Sequence, residues 1–458
     1  MNILRRRLTI VLVAAAAWLA SCANAPPASP YPPIVFVHGN GDTAGLWHTT
    51  MWRFESNGWP RERLYAIDVP YPLARDTDTK PQDGRTSTTE HMQFLSAEVD
   101  KVLRATGASQ VVLFGNSRGG NAIRNYIANG NGAAKVSHAI LGGTPNHGVQ
   151  ANPDSNPGNE FNGAGPFLMG LNAPKGPNGD EVTPGVKWMT IRSDNNDKYA
   201  QPDGVWLGAK GKPTNVTCDG PALKGAENVV IVGIDHRETA FSPKAFEAMF
   251  LFLTGKPPVS LKVAPEARVV LNGKVSGYGV GNQQGTAPSN LPLAGATVEV
   301  YATNPDNGER LGPAVHRREI AEDGQWGPFG ADPQVRYEFV ITAPGYATTH
   351  IYRSPFPRSS SIVHLRAERF ADADKGAASV VTLTRPRGYF GLPRDSISLD
   401  GQSPPPGVPQ GTAGVSVSKL RLADGAGRAV AGEFNGERIV GRAWPAANNE
   451  VVLLELHD

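Results

Sequence analysis

The chain has 458 residues, which is long enough for two or three hydrophobic cores, and 40% of its residues are apolar. Its formal net charge of +2 gives no sign of a nucleic-acid partner, and no group of residues has the spacing of metal ligands. Since Cys22 and Cys218 are the only cysteines, disulfides are not expected to hold the fold. We therefore predict a soluble protein of more than one domain that needs neither a metal nor a cofactor.

The N-terminal segment is predicted to serve export. Arg5-Arg6-Arg7 precedes an apolar stretch over residues 8–20, which is too short to span a bilayer and is typical of a secretion signal. Leu19-Ala20-Ser21-Cys22 then resembles the box of bacterial lipoproteins, in which the signal is cut before the cysteine and the cysteine is acylated. Cleavage after Ala25 is the alternative. We expect a signal peptide over 1–22, a linker over 23–30, and a protein that is either secreted or tethered by acylated Cys22 to the outer membrane or cell surface.

Alternating strands and helices are predicted over residues 31–256. The apolar run Ile34–Val37 is suited to a buried parallel strand. Apolar runs predict further strands, and helical spacing of apolar residues predicts a helix over 89–106 and a last helix over 241–254. This alternation favours a mainly parallel sheet covered on both faces, with a site at the carboxyl ends of the strands. The further predicted strands are 64–69, 111–114, 136–141, 186–191 and 229–234.

Two segments at the ends of predicted strands carry the first candidate site residues. In Gly115-Asn116-Ser117-Arg118-Gly119 the serine lies between a strand and a helix, as a nucleophile elbow requires, and both glycines leave room for the sharp turn. His38-Gly39-Asn40-Gly41 follows the first strand. The backbone N–H groups of Asn40 and Arg118 are predicted to form an oxyanion hole, while His38 orients this loop.

The general base and its acid are predicted from chain order. His236 follows the strand over 229–234 and is the predicted base, whereas His147 is expected to shape the pocket wall. The acid should follow the strand over 186–191, where Asp194 and Asp197 both qualify. Asp197 is preferred because it stands just before a stretch that turns back, and Asp154 is the next candidate. The acid would accept the Nδ1 proton of His236 and fix its tautomer.

A long segment between 146 and 185, rich in Gly, Asn and Pro, is expected to overhang the serine as a lid or pocket wall. Two roles are open for its apolar residues, which either line an acyl pocket or anchor the segment to the core. These residues are Phe161, Phe167, Leu168 and Met169.

After Gly255-Lys256-Pro257-Pro258 the periodicity changes to that of strands. We predict a β-sandwich domain over 259–371 and a second, smaller β-module over 372–458. Most aromatic residues of this half are expected to pack in its cores, although some of them are candidates for contact with lipid or polymer. They include Tyr346, Tyr352, Phe356, Tyr389 and Phe390.

Four motifs together resemble the small secreted lipases and esterases of bacteria, which have the α/β-hydrolase fold. They are His38-Gly39-Asn40-Gly41, Gly115-Asn116-Ser117-Arg118-Gly119, Gly143-Thr144-Pro145-Asn146-His147-Gly148 and Asp235-His236. The β-rich remainder is similar to the C-terminal lipid-binding β-domain of some microbial lipases. The resemblance implies an α/β-hydrolase fold over about 31–256, followed by all-β sandwich-like modules. It departs from the family at Asn116, where many lipases carry histidine, but an amide still donates and accepts hydrogen bonds there.

The residues and the resemblance predict a secreted or envelope-anchored serine carboxylester hydrolase. It would act on an ester or lipid through an acyl-enzyme at Ser117, with His236 and Asp197. A polyester depolymerase whose β-modules hold the polymer is the alternative enzyme. An inactive surface-binding protein is the alternative from another class, and the complete triad argues against it. Because the site closes within 31–256, soluble esters are expected not to need the β-rich tail.

Overall fold

The computed structural model describes residues 30–283, 285, 287–425 and 427–457, so the predicted signal peptide and Cys22 lie outside the described residues. The first half contains strands β1 (Ile34–Val37), β2 (Leu64–Ile67), β3 (Leu73–Ala74), β4 (Arg85–Thr86), β5 (Val111–Asn116), β6 (Val136–Gly142), β7 (Lys187–Arg192) and β8 (Glu227–Val230). Its helices are α1 (His48–Ser56), α2 (Thr88–Thr106), α3 (Arg118–Asn129), α4 (Pro166–Leu171), α5 (Glu238–Phe241) and α6 (Pro243–Thr254).

A six-stranded parallel sheet with the order β2-β1-β5-β6-β7-β8 forms the centre of this half. Strands β1 and β5 are buried along their whole length, which explains their continuous apolar sequences. They are neighbours in register, with Val37 opposite Gly115. The loop after β1 and the turn after β5 therefore leave the same edge of the sheet side by side.

Local sequence signals set the helix boundaries. Helix α2 begins with a capping box in which Ser87 and Glu90 satisfy each other's backbone N–H groups, and it ends at Gly107 in the left-handed conformation. The helix predicted over 241–254 is α6, which begins two residues later, at Pro243, and is preceded by the short helix α5. Ser242 between them is extended with a ψ of 153°, and Pro243 starts α6 because a proline is preorganised for the first helical position.

The second half consists of strands, most of them antiparallel to their neighbours. These are β9 (Val269–Leu271), β10 (Val275–Gly277), β11 (Thr297–Thr303), β12 (His316–Glu319), β13 (Phe329–Ala331), β14 (Arg336–Thr342), β15 (Thr348–Arg353), β16 (Leu365–Ala367), β17 (Ser379–Thr384), β18 (Ile397–Leu399), β19 (Val417–Leu422), β20 (Ala429–Phe434), β21 (Glu437–Arg442) and β22 (Glu450–Glu455). The largest sheet has seven strands in the order β12-β11-β14-β15-β22-β17-β19.

This large sheet runs across the domain boundary that the sequence predicts at residues 371 and 372. Strand β22 lies between β15 and β17 and pairs with both in parallel, so the last strand of the chain joins the two predicted β-modules. Sequence periodicity does not report such pairing, because it shows which residues form strands but not which strands become neighbours.

The β-rich half packs on the first half through shared core contacts. Trp52 of α1 belongs to the same buried cluster as Trp326 and Phe339, and its indole N–H donates to the carbonyl of Ser359 at 2.9 Å. Most of the singled-out aromatics are buried, as expected, whereas Tyr346 is half-buried. The buried aromatics are Tyr352, Phe356, Tyr389 and Phe390.

No helix within the described ranges is long and apolar enough to cross a membrane.

Candidate active site

Ser117 lies in a strained turn between β5 and α3. Its φ of 53° and ψ of −123° are unusual for a residue with a side chain. A Cβ at Gly119 would stand 2.5 Å from the carbonyl oxygen of Val37, and one at Gly115 would stand 2.7 Å from the backbone nitrogen of Gly120. Both positions therefore require glycine, because the turn is packed against β1 on one side and α3 on the other.

His236 and Asp197 form a buried pair at the carboxyl ends of the strands. The Nδ1 of His236 lies 2.8 Å from Oδ2 and 3.0 Å from Oδ1 of Asp197, and the side chain of His236 is 3% exposed. Tyr199 packs edge-on against the imidazole with 4.7 Å between ring centroids. The buried Nε2 of His236 has no hydrogen-bond partner among the described residues. The carboxylate thus fixes one ring nitrogen and the other is left to act on a substrate or nucleophile.

The loop that carries His236 meets the nucleophile turn. The amide N–H of Ser117 donates to the carbonyl of Gly142 at 2.8 Å, and Asn116 Nδ2 lies 3.1 Å from the same carbonyl and 3.4 Å from the carbonyl of His236. A Cβ at Gly143 would stand 2.8 Å from that His236 carbonyl. Asn116, which departs from the family pattern, therefore ties the serine turn to the histidine loop.

Asp194, the alternative acid, has a different task. Its Oδ1 accepts from the backbone N–H of Asn196 at 3.1 Å, and its Oδ2 accepts from the N–H of Gly233 at 3.1 Å. Burial alone would raise the pKa of Asp194, but these hydrogen bonds lower it overall. Asp194 holds the loop after β7, which we call the acid loop, to the end of the neighbouring strand β8. Asp197, in the same loop, contacts the imidazole. Asp154 lies exposed in the loop after β6.

The segment after β1 lies directly beside the nucleophile. A Cβ at Gly39 would stand 3.0 Å from the Cβ of Ser117. His38 orients this segment, since its Nδ1 donates to the carbonyl of Gly39 at 2.9 Å and its Nε2 accepts from the N–H of Val69 at 3.0 Å. Burial lowers the pKa of His38, which favours the neutral form that this pair of bonds needs.

The two predicted oxyanion donors lie in the loop after β1 and at the start of α3. Asn40 is exposed, and its side-chain Oδ1 accepts from the N–H of Ala74 at 2.7 Å, which fixes the loop. Arg118 is the first residue of α3, so its backbone N–H has no partner inside the helix. The positive end of the helix dipole also lies at this position. Together these features suit the stabilisation of a developing negative charge.

The side chain of Arg118 has a role that the sequence does not reveal. Its side chain is 1% exposed and forms a bidentate ion pair with Glu160. Nε lies 2.7 Å from Oε1 and Nη2 lies 2.8 Å from Oε2 of that carboxylate. Nη1 also donates to the carbonyl of Pro72 at 3.1 Å. Since Glu160 belongs to the long segment between 146 and 185, this ion pair anchors that segment beneath the nucleophile turn.

The long segment is further held from its other end. His147 Nε2 lies 3.1 Å from Glu181 Oε1, so this histidine bonds within the segment, apart from the His236 pair. Of the apolar residues, Leu168 is fully buried and anchors α4, whereas Met169 is 61% exposed. Phe161 and Phe167 are half-buried. Leu168 thus takes the anchoring role, and the exposed side chain of Met169 leaves room for contact with a substrate.

No group of three or more histidine, cysteine or acidic side chains in the described part of the chain is arranged to hold a metal ion. His236 and Asp197 form an imidazole–carboxylate pair, and the turn that carries the Ser117 hydroxyl leads into the N-terminus of α3. This constellation is suited to acyl transfer.

Comparisons with known proteins match two parts of the chain to known domain families. Residues 32–170 match the family described as the alpha/beta hydrolase fold, and residues 267–370 match the lipase C-terminal domain. These two matches support an α/β-hydrolase of the lipase and esterase type with a C-terminal lipase domain. The predicted fold class and the family resemblance are thereby confirmed.

Several solved structures are similar to the first half of the chain. A lipase of Bacillus licheniformis in its mature form is 19% identical over 50% of this chain and 94% of that chain, with a TM-score of 0.33. Lipase B of Aspergillus fumigatus is 16% identical over 51% of this chain and 54% of that chain, with a TM-score of 0.34. A monoacylglycerol lipase of Paleococcus ferrophilus is 14% identical over 49% of this chain and 96% of that chain, with a TM-score of 0.30.

Proposed function

We propose that this lipase-type hydrolase is a serine carboxylester hydrolase with Ser117 as nucleophile, His236 as general base and Asp197 as the acid. The observation that carries the proposal is the imidazole of His236, whose Nδ1 is held by a buried carboxylate while its Nε2 has no partner among the described residues. The place of His236 also supports the proposal, because its loop is bonded to the Ser117 turn: Asn116 Nδ2 lies 3.4 Å from the carbonyl oxygen of His236 and 3.1 Å from that of Gly142.

The reaction follows from these positions. Ser117 Oγ attacks the ester carbonyl carbon while His236 Nε2 takes the hydroxyl proton, and Asp197 stabilises the imidazolium through Nδ1. The carbonyl oxygen becomes an oxyanion that accepts from the N–H groups of Asn40 and Arg118. When the tetrahedral intermediate collapses, the C–O bond to the alcohol breaks and His236 returns the proton to the leaving alkoxide. Water then hydrolyses the acyl-enzyme by the same steps, which releases the acid and restores the serine.

Ester or lipid is the substrate class that we propose. The exposed Met169 and half-buried Phe161 and Phe167 of the long segment supply apolar surface for an acyl chain. Two measurements test the function: turnover of p-nitrophenyl butyrate, and labelling by a fluorophosphonate followed by mapping of the modified peptide. We expect turnover and a label on Ser117. A protein that neither turns over the ester nor takes up the label would instead be a surface-binding protein with a silent hydrolase domain.

We also propose that the protein is exported and that Cys22 is acylated. The basic triplet, the short apolar stretch and the tetrapeptide that ends in Cys22 support this proposal. Acylation would add membrane affinity of about 0.8 kcal/mol for each buried methylene. In the native host, Cys22→Ser should move the enzyme from the membrane fraction to the soluble fraction. An intact mass that corresponds to an unmodified chain beginning at Pro26 would contradict acylation.

A further inference from the structure

The histidine loop is held by residues of the C-terminal β-module. Asp235, directly before His236, is fully buried. Its Oδ2 accepts from Arg385 Nη1 at 2.7 Å and from the backbone N–H of Tyr389 at 2.8 Å. Arg385 is itself 3% exposed, so neither charge is shared with solvent.

A second carboxylate of the same loop binds the same module. Glu238, two residues after His236, accepts from Arg385 Nη2 at 2.6 Å and from Arg394 Nη1 at 2.9 Å. Its Oε2 also accepts from the backbone N–H of Asp235 at 2.5 Å, which closes the loop around the histidine. His236 thus stands between two carboxylates that share one guanidinium.

The electrostatic balance of this cluster depends on the arginines. Burial alone would raise the pKa of Asp235, but Arg385 and Arg394 lower it overall. For Glu238, burial and the nearby charge of Asp235 raise the pKa. Without Arg385 two buried carboxylates would face each other, and one would have to take up a proton or move towards water. The loop could then no longer keep its present course.

The acid loop meets the same module. Lys198, next to Asp197, donates through Nζ to the carbonyl of Gly414 at 2.9 Å and lies 3.9 Å from the centre of the Tyr389 ring. Burial lowers the pKa of Lys198 to about 8. Arg237, which pairs with Asp42 in the loop after β1, also stacks on Tyr389 at 4.7 Å. Two loops of the site therefore converge on residues 385–414, and Arg237 joins the loop after β1 to them.

From this convergence we propose that Arg385 is a positioning residue of the hydrolase site. It acts through Asp235 and Glu238 to keep the imidazole of His236 between Asp197 and Ser117. The proposal rests on the proposed serine-hydrolase function and extends it to residues beyond the matched C-terminal lipase domain, which ends at 370. Catalytic geometry is sensitive to this kind of support, since a displacement of about 1 Å can cost about a hundredfold in rate.

The first test is Arg385→Gln in the full chain, with p-nitrophenyl butyrate as a soluble probe. We expect kcat to fall by about a hundredfold while KM stays within about threefold, because the substitution misplaces the base and leaves the acyl pocket intact. The rate of fluorophosphonate labelling at Ser117 should fall in parallel. Arg385→Lys keeps the charge and should recover part of kcat.

A double variant separates positioning from general stability. Asp235→Asn combined with Arg385→Gln removes both charges of this ion pair, and the remaining carboxylate of Glu238 keeps its contact with Arg394 Nη1 at 2.9 Å. We expect this double variant to have a higher kcat than Arg385→Gln alone. Arg353→Gln is the matched control, because Arg353 is also 3% exposed and pairs with Glu455 in the same half. It should lower thermal stability and leave kcat unchanged.

Each outcome decides the proposal. An unchanged kcat in Arg385→Gln, or an equal loss of kcat in Arg353→Gln, would overturn it. If Arg385→Gln does not fold, the same kcat measurements are made on Arg385→Lys and Arg394→Gln. Arg394 is suitable because it is more exposed than Arg385 and also pairs with Glu238. If the parent enzyme neither turns over the ester nor reacts with the fluorophosphonate, the failure lies with the proposed function. If the parent enzyme turns over the ester and reacts with the fluorophosphonate, and Arg385→Gln is fully active, only the positioning role is refuted.

Discussion

The serine side and the histidine side of the site are held in different ways. Ser117 stands in a turn whose close contacts come from the hydrolase half itself, where Gly119 meets the backbone of Val37. His236 stands in a loop whose carboxylates are paired with the β-rich half, and Asp235 and Arg385 are separated by 150 residues of sequence. The serine side is held by close steric fit between neighbouring backbone segments. The histidine side is held by buried ion pairs between the two halves of the molecule.

This difference shows what each half contributes to the chemistry. The close backbone contacts of the strained turn come from β1, β5, β6 and α3, which all belong to the first half. The imidazole needs the β-module, because breaking a buried ion pair leaves an uncompensated charge. The expectation that soluble esters do not need the β-rich tail therefore changes: without residues 385–414, Asp235 and Glu238 would lose their arginines, and we expect activity on soluble and insoluble esters to fall together.

The largest effect is expected on the serine side. Ser117→Ala removes the nucleophile and should lower kcat by on the order of a million-fold, because residues that act as a unit lose nearly the whole rate gain when one is removed. Thermal unfolding should not change, since alanine introduces no new clash in the turn. A variant that hydrolyses p-nitrophenyl butyrate at close to the parental rate would exclude Ser117 as the nucleophile.

The next effect tests which carboxylate serves the histidine side. Asp197→Asn should lower kcat by about ten-thousand-fold, because an amide opposite Nδ1 favours the wrong imidazole tautomer. Asp194→Asn is the matched control at the other end of the same loop and should cost little, since Asp194 bonds backbone N–H groups rather than the imidazole. The opposite ranking would transfer the role to Asp194.

A smaller effect tests the steric fit on the serine side. Gly119→Ala would place a Cβ 2.5 Å from the carbonyl oxygen of Val37 and 2.6 Å from that of His38. Backbone atoms cannot give way as a side chain can, so we expect a loss of about 1–3 kcal/mol in the free energy of unfolding. kcat should fall as well, because the clash pushes the oxyanion loop away from the turn.

Gly170→Ala in α4 is the control for that substitution. An added Cβ there meets nothing within 4 Å, and its position in a helix favours alanine over glycine by up to about 1 kcal/mol. Urea unfolding of the two variants gives the comparison directly. Equal stability of Gly119→Ala and the parent would contradict the tight fit between β1 and the elbow.

The sequence predicted the strand, turn and helix around Ser117 because their signals are local. Apolar runs end at His38 and at Gly115, and the chain order of parallel strands puts both at one sheet edge. Chain order likewise led to His236 and to the pair Asp194 and Asp197. Only the side-chain contacts in the structure distinguish the roles of these two aspartates, because both follow the same strand within a few residues.

The support of the histidine could not be predicted from the sequence. Nothing in the residues around Arg385 indicates a partner 150 positions earlier, and the parallel pairing of β22 with β15 and β17 is equally distant. Arg118 was singled out for its backbone N–H, yet its side chain pairs with Glu160 across a separate loop. Long-range ion pairs and strand neighbours depend on tertiary packing, which periodicity and turn signals do not encode.

The smallest effect concerns the contact between the two halves, on which the histidine side depends. His48 of α1 is 2% exposed and packs with Phe356 and His457 of the β-rich half, at 6.1 Å and 6.4 Å between ring centroids. Burial lowers the pKa of both histidines well below the ordinary value of 6.5. Above about pH 6.5 both are neutral in the folded and unfolded states, so their packing contributes fully to stability.

Below that pH the unfolded chain binds protons that the folded chain excludes, so the free energy of unfolding should fall as the pH falls. Each histidine contributes a slope of up to about 1.4 kcal/mol per pH unit, until the depressed folded pKa is reached. We therefore expect His48→Gln to flatten the dependence of urea unfolding on pH between 6.5 and 5, while its slope between pH 7.5 and 8.5 matches the parent. If the variant and the parent lose stability in parallel below pH 6.5, His48 takes up its proton in the folded state as readily as in the unfolded state. Acid would then not weaken the contact between the two halves through His48.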